Sequence, residues 1–208
     1  MRIIAFGDSI TYGAWDSSGG WVERLKSQVH AVTLTSKGET RNQVMNLGIG
    51  GNTSLGLLER IESETVSRMS PKWSPIFIIS IGTNDGRTRG GEQEVPIKNY
   101  EQNLNEIITI VQRYGNDIII LGLPPLGVEI LDFGGQIYSD AIIKKYDAVL
   151  EHVALEHGLT YAPTRPSFES AEPGTLFAYD QLHPSAAGHE LIAKIVTPYL
   201  EDLGVVFK

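Results

Sequence analysis

The chain has 208 residues, no cysteine and a formal net charge of -8. Such a length can bury a full hydrophobic core without staples, and the lack of thiols excludes disulfides, thiolate metal sites and cysteine nucleophiles together. No Lys/Arg cluster is present to neutralise phosphates, so a nucleic-acid partner is not expected, and the acidity reads as an aid to solubility.

The opening run Ile3-Ile4-Ala5-Phe6 predicts a strand over 2–7. It is too short for the apolar core of a signal peptide, and no later segment approaches the roughly 20 apolar residues of a membrane span. A cytoplasmic protein without integral membrane association is therefore expected. Helical periodicity follows over 20–34, a strand over 43–48, a helix over 54–69 and a strand over 75–82. After a connection at 83–96, Leu104, Ile107, Ile108 and Val111 mark one face of a helix over 97–114. A strand at 117–123, a second Gly- and Pro-rich connection at 124–137, a helix at 138–157 and a strand at 159–162 complete the alternation. A last helix is predicted to start at Pro184, whose fixed φ suits a first turn, and to run through Leu191, Ile192, Ile195 and Val196 towards Leu203. No linker or repeat divides the chain, so one domain is expected over 1–208. Alternating strands and helices read as an α/β fold, a parallel sheet covered on both faces. The two long connections follow strands and so belong above the carboxyl edge of the sheet, where open parallel sheets bind ligands.

Ser9, in Gly7-Asp8-Ser9-Ile10, falls just after the first strand, and Asp180-Gln181-Leu182-His183 stands in the last loop. A hydroxyl is a poor nucleophile at neutral pH unless a base takes its proton and a third group holds the base. Serine, histidine and a carboxylate supply those parts, which points to a serine hydrolase. Asn46 to Thr53 and Gly82-Thr83-Asn84-Asp85 follow the second and third strands and reach the same edge. Each motif alone is also an ordinary turn: Gly-Asp-Ser caps a helix, Gly48-Ile49-Gly50-Gly51 lets the backbone reverse, and Asn84-Asp85-Gly86 is a good turn sequence. Their joint occurrence at strand ends carries the argument.

Taken in order, Gly7-Asp8-Ser9, Gly51 in Gly50-Gly51-Asn52-Thr53, Asn84 in Gly82-Thr83-Asn84-Asp85, and Asp180-x-x-His183 resemble the SGNH or GDSL hydrolase superfamily, the GDSL-like esterases and lipases. The match spans nearly the whole chain. It implies a flavodoxin-like three-layer αβα sandwich with a five-stranded parallel sheet in order 2-1-3-4-5. It further implies Ser9 as nucleophile, His183 as base with Asp180 completing the triad, and Gly51 and Asn84 in the oxyanion hole. Beside the resemblance, the residues offer three donors for a tetrahedral oxyanion: the backbone N–H groups of Ser9 and Gly51 and the Asn84 side-chain amide, which no aspartate could replace at neutral pH.

The expected substrate is a small or medium acyl ester. A carbohydrate acetyl ester, a lysophospholipid and a thioester all fit, because the four motifs do not separate them. No cofactor or metal is required. An acyltransferase would use the same residues. A non-catalytic flavodoxin-like module holding a mononucleotide or phosphate is the reading from another class, but Gly48-x-Gly50 lacks the third fingerprint glycine, Thr53 standing there, and no Gly-Lys-Ser/Thr loop occurs. No Gly-x-Ser-x-Gly elbow surrounds Ser9, against an α/β-hydrolase type nucleophile. Asp8 and Asp85 read as supports of their turns. His189, six residues after His183, reads as structural rather than as a metal ligand, since a helix turns that spacing to different faces. His30, His152 and His157 fall on helices away from this edge. Tyr12, Trp15, Trp21, Phe133, Tyr138 and Tyr179 are divided between packing and the lining of an acyl or alcohol pocket.

Overall fold

The computed structural model describes residues 1–172 and 174–207. In chain order its elements are β1 (Arg2–Gly7), α1 (Ser9–Tyr12), α2 (Gly20–Thr35), β2 (Gln43–Gly48), α3 (Ser54–Val66), β3 (Pro75–Ser80), β4 (Thr88–Arg89), β5 (Glu92–Gln93) and α4 (Ile97–Gln112). There follow β6 (Ile118–Leu121), β7 (Ile130–Asp132), β8 (Ile137–Ser139), α5 (Asp140–Glu156), β9 (Thr160–Ala162), α6 (Arg165–Glu169) and α7 (Ala186–Asp202).

The main sheet is five-stranded and parallel, in order β2-β1-β3-β6-β9. Counted along the chain these are its second, first, third, fourth and fifth strands, the expected order. Alternation within each strand sorts the core onto two faces. Ile4, Phe6, Phe77, Ile79 and Ile120 point to the side covered by α3, α4 and α5. Ile3, Ala5, Ile76, Ile78 and Ile119 point to the side covered by α2 and α7. Strands buried on both faces have no polar side to show, which is why their sequences are nearly continuous apolar runs. Tyr100, Leu104, Ile107, Ile108 and Val111 of α4 are all buried, so the stripe seen at helical spacing is the core face.

Three expectations need correction. The connections at 83–96 and 124–137 are not plain loops: β5, β4, β8 and β7 pair antiparallel, in that order, as a small second sheet. Residues 137–139 belong to that sheet, so the helix expected from 138 begins at Asp140. The last helix begins at Ala186 rather than Pro184. Pro184 forms a bridge with Phe177, and Ser185, in extended backbone, caps the helix by accepting from the Gly188 N–H at 3.3 Å. A hydroxyl cap beat the proline rule because the helix donors needed an acceptor and Pro184 was already used to close the preceding loop.

Candidate active site

Every side chain of the site hangs on the carboxyl end of a main-sheet strand or on a loop folded back over that edge. β1 ends at Gly7, where a Cβ would lie 2.5 Å from the Ser80 carbonyl oxygen, so the first turn packs against β3 only with glycine there. Asp8 then caps α1, its Oδ1 accepting from the Ile10 N–H at 2.9 Å. Ser9 is thereby the first residue of a short helix, with its backbone N–H and Oγ both free of the strand.

Ser9 Oγ stands 2.8 Å from His183 Nε2, and His183 Nδ1 stands 2.7 Å from Asp180 Oδ2. The other Asp180 oxygen accepts from the N–H groups of Leu182 and His183 at 3.1 and 3.0 Å, so the loop that presents the histidine also fixes its carboxylate. Burial opposes ionisation of Asp180, but the backbone and ring N–H groups of His183 outweigh it and hold this carboxyl below the ordinary range. The indole Nε1 of Trp15 also approaches His183 Nδ1, at 3.0 Å. Both contacts cannot use one lone pair. The shorter carboxylate contact requires a proton on Nδ1, which leaves Nε2 unprotonated toward Ser9 and makes Trp15 a cover over the pair.

Asn84 lies beside Ser9 at the end of the β3 loop, 4 % exposed. Its Nδ2 donates to the Asn52 carbonyl at 3.1 Å, and its Oδ1 accepts from the Tyr138 hydroxyl at 3.1 Å. Gly51, at φ +74°, lines the same cleft one residue before Asn52. The loop it sits on is held by Arg60, which donates to Asn52 Oδ1 at 2.9 Å and to the Gly7 carbonyl at 3.1 Å. The expected support roles of Asp8 and Asp85 take concrete form: Asp85 receives the Ser54 N–H at 2.9 and 3.0 Å, tying the β3 loop to the start of α3. Burial pushes Asp85 up to about 6 and Asp8 up to about 7, hydrogen bonds opposing in each case.

Around these groups is a cleft of about 540 Å³, lined by Tyr12, Trp15, Ile49, Phe133 and Leu182 and also by Arg87 and Tyr138. That is the size of a small-ligand site. Tyr12 and Trp15 of this lining are exposed, and the exposed ring of Tyr179 stands against Trp15 with centroids 5.7 Å apart. Trp21 is fully buried against the core instead. His189 is buried beneath the Ala14 carbonyl, which its Nε2 approaches to 3.4 Å, and burial pushes it down to about 4. His157 pairs with Asn105, away from the cleft. Arg60 and Arg87 are absent from the sequence reading. A lone arginine on a helix or after a turn has no periodic signature, and only the folded loops show what each holds.

A hydroxyl, an imidazole and a carboxylate in line, with a side-chain amide in the same cleft, make an arrangement able to transfer an acyl group. A sequence profile of the GDSL-like lipase/acylhydrolase family matches residues 5–191. The chain belongs to this family. As an acylhydrolase it is a carboxylic ester hydrolase, which sets aside the reading of a non-catalytic nucleotide module. It is 26% identical, over 98% of its length and 94% of the relative's, to an acetylxylan esterase of Geobacillus stearothermophilus. Among solved structures, an α/β hydrolase from the metagenome of Lake Arreo, Spain, is similar at TM-score 0.75 and 22% identity, covering 97% of this chain and 95% of that one. A catalytic mutant of Axe2, an acetylxylan esterase from Geobacillus stearothermophilus, is similar at TM-score 0.75 and 23% identity, covering 96% and 93%. Other catalytic mutants of Axe2 replace a histidine and an aspartate by alanine, the aspartate three positions before the histidine.

Proposed function

We propose that this acylhydrolase cleaves its ester through an acyl-enzyme on Ser9, and that its substrate is a short-acyl ester of a carbohydrate. The observation that carries the mechanism is the 2.8 Å contact between Ser9 Oγ and His183 Nε2 with Asp180 behind the ring at 2.7 Å. Ser9 Oγ bonds to the ester carbonyl carbon while its proton passes to Nε2, and the carbonyl oxygen becomes an oxyanion. The N–H groups of Ser9 and Gly51 and the Asn84 amide receive that charge. Collapse breaks the bond to the alcohol, which leaves with the proton from Nε2. A water then repeats the sequence: its oxygen joins the acyl carbon, its proton goes to Nε2, and Ser9 departs with that proton as the free hydroxyl. Asp180 stays ionised throughout and stabilises the imidazolium that forms twice per turnover.

Support for a carbohydrate ester comes from the acetylxylan esterase relative, which aligns over nearly all of this chain. The exposed rings of Tyr12, Trp15 and Tyr179 at the cleft fit an alcohol that is large and has flat apolar faces between its hydroxyls. Chromogenic esters from acetyl to lauroyl, run beside an acetylated xylooligosaccharide, test the reading. Preference for acetyl and release of acetate from the oligosaccharide are expected. Turnover confined to long chains would overturn the carbohydrate assignment while leaving the serine mechanism in place.

A further inference from the structure

The small second sheet has a consequence for the oxyanion hole. Its strands β4 and β8 share one antiparallel register pair, Thr88 with Ile137, and the adjoining positions across that ladder are Arg87 and Tyr138. Two residues 51 positions apart in sequence are thus brought side by side, and one of them, Tyr138, reaches Asn84. Tyr138 is 3 % exposed and donates its hydroxyl to Asn84 Oδ1 at 3.1 Å. Arg87 stands opposite Tyr138 across that ladder, and its positive charge opposes the rise that burial imposes on the ionisation of the phenol. Two edges of Arg87 are fixed by Glu94, at 3.2 Å from Nε, and by Gln136 Oε1, at 3.1 Å from Nη1.

An asparagine amide is nearly symmetric in shape, so only its partners decide which way it faces. Here a donor meets Oδ1 and a carbonyl, Asn52 O, meets Nδ2. One Nδ2 hydrogen is used by that carbonyl. The nearest partner for the second is Asp8 Oδ2 at 3.4 Å, a long contact that leaves the hydrogen available to a better acceptor. A phenol oxygen can accept from a guanidinium while its own hydrogen is donated onward, and hydrogen bonds in such a chain polarise one another.

We infer that Tyr138 and Arg87 are positioning residues for the oxyanion hole: Arg87 backs the Tyr138 hydroxyl, the hydroxyl holds Asn84 Oδ1, and the Asn84 N–H is thereby aimed and polarised toward the developing oxyanion. This rests on the reading of Asn84 as an oxyanion donor. The small sheet is then the device that brings a cation up beside the residue that holds the neutral donor.

The test is a double-mutant cycle on acetyl ester hydrolysis, with kcat and KM measured separately. Tyr138→Phe is expected to lower kcat about 3- to 10-fold, the worth of one hydrogen bond, with KM little changed, and Arg87→Met to lower it about 2- to 5-fold in the same sense. In an Asn84→Ala background neither substitution should lower kcat further, because the donor they serve is gone. Affinity for a boronic acid that forms a tetrahedral adduct on Ser9 should fall in step with kcat, and Arg87→Lys should restore part of what Arg87→Met loses. Losses that persist undiminished in the Asn84→Ala background, or that appear only in KM, would overturn the relay. An unchanged kcat in Asn84→Ala itself would instead remove the oxyanion reading beneath it. Thermal melting of Tyr138→Phe guards against a folding defect, and if the variant melts early the Arg87→Met and Arg87→Lys pair carries the test alone.

Discussion

Ser9 has a partner for its proton at 2.8 Å, and His183 has a carboxylate at 2.7 Å on its opposite nitrogen, so in the proposed mechanism the hydroxyl, ring and acid act as one unit. Removing the middle of such a unit's support is costly. Asp180→Asn should lower kcat by about 10³- to 10⁴-fold, since the amide no longer selects the Nδ1–H tautomer. Asn84→Ala should lower kcat about 10²- to 10³-fold with little change in KM, because its donor matters most when charge has moved onto the carbonyl oxygen. Steady-state kinetics on one acetyl ester check both. Asp8 makes a different prediction. Burial pushes its carboxyl from the ordinary carboxylate range up to about 7 in the folded state. A raised folded value means stability that is fully present below the unfolded value and lost as pH climbs through the folded one. Asp8→Asn keeps the cap acceptor but cannot ionise, so its stability relative to wild type should improve between pH 4 and 7. Denaturant unfolding across that window measures it, and a difference independent of pH would contradict the burial argument.

At the scale of elements, the helices act through their buried stripes and their caps. Ile107 on α4 is fully buried between that helix and the sheet, and Ile107→Ala should cost about 2–5 kcal/mol by loss of transfer energy and the cavity left behind. Ser185→Ala should cost about 0.5–2 kcal/mol by uncapping α7, with the loop from Phe177 to Pro184 loosened as well, because the Ser185 hydroxyl also donates to the Thr175 carbonyl. Urea unfolding separates the two magnitudes. The same forces decide what could be seen in the sequence. The five main strands and their covering helices were legible because each buries apolar residues at a fixed period. The small sheet was not: Thr88, Arg89, Glu92 and Gln93 are polar and largely exposed, their strands are two residues long, and β8, which joins β4 to the rest of that sheet, lies some fifty residues away. The start of α7 was misplaced by two residues because a proline and a serine stood side by side as competing signals, and only the folded loop shows that Pro184 pairs with Phe177.

Across the whole molecule, the ends of β1, β2 and β3 and the loop before α7 deliver groups to one cleft from positions spread between Ser9 and His183. Among the described residues no helix is long and apolar enough to cross a membrane. Ser9, Gly51, Asn84, Asp180 and His183 are candidates that the sequence offers through motifs in family order, and the fold brings them to one edge of the sheet. Arg60, Arg87 and the hydrogen bond from Tyr138 to Asn84 are not legible there, since each depends on a loop crossing that no local pattern encodes. The acyl-enzyme on Ser9 is the claim on which the rest depends. The most direct measurement is mass spectrometry of the protein after treatment with a fluorophosphonate, followed by peptide mapping, in wild type and Ser9→Ala. A single adduct on the peptide containing Ser9, with parallel loss of esterase activity, and no adduct in the variant are the predicted result. Ester hydrolysis undiminished in Ser9→Ala, or an adduct mapped to another residue, would contradict the account.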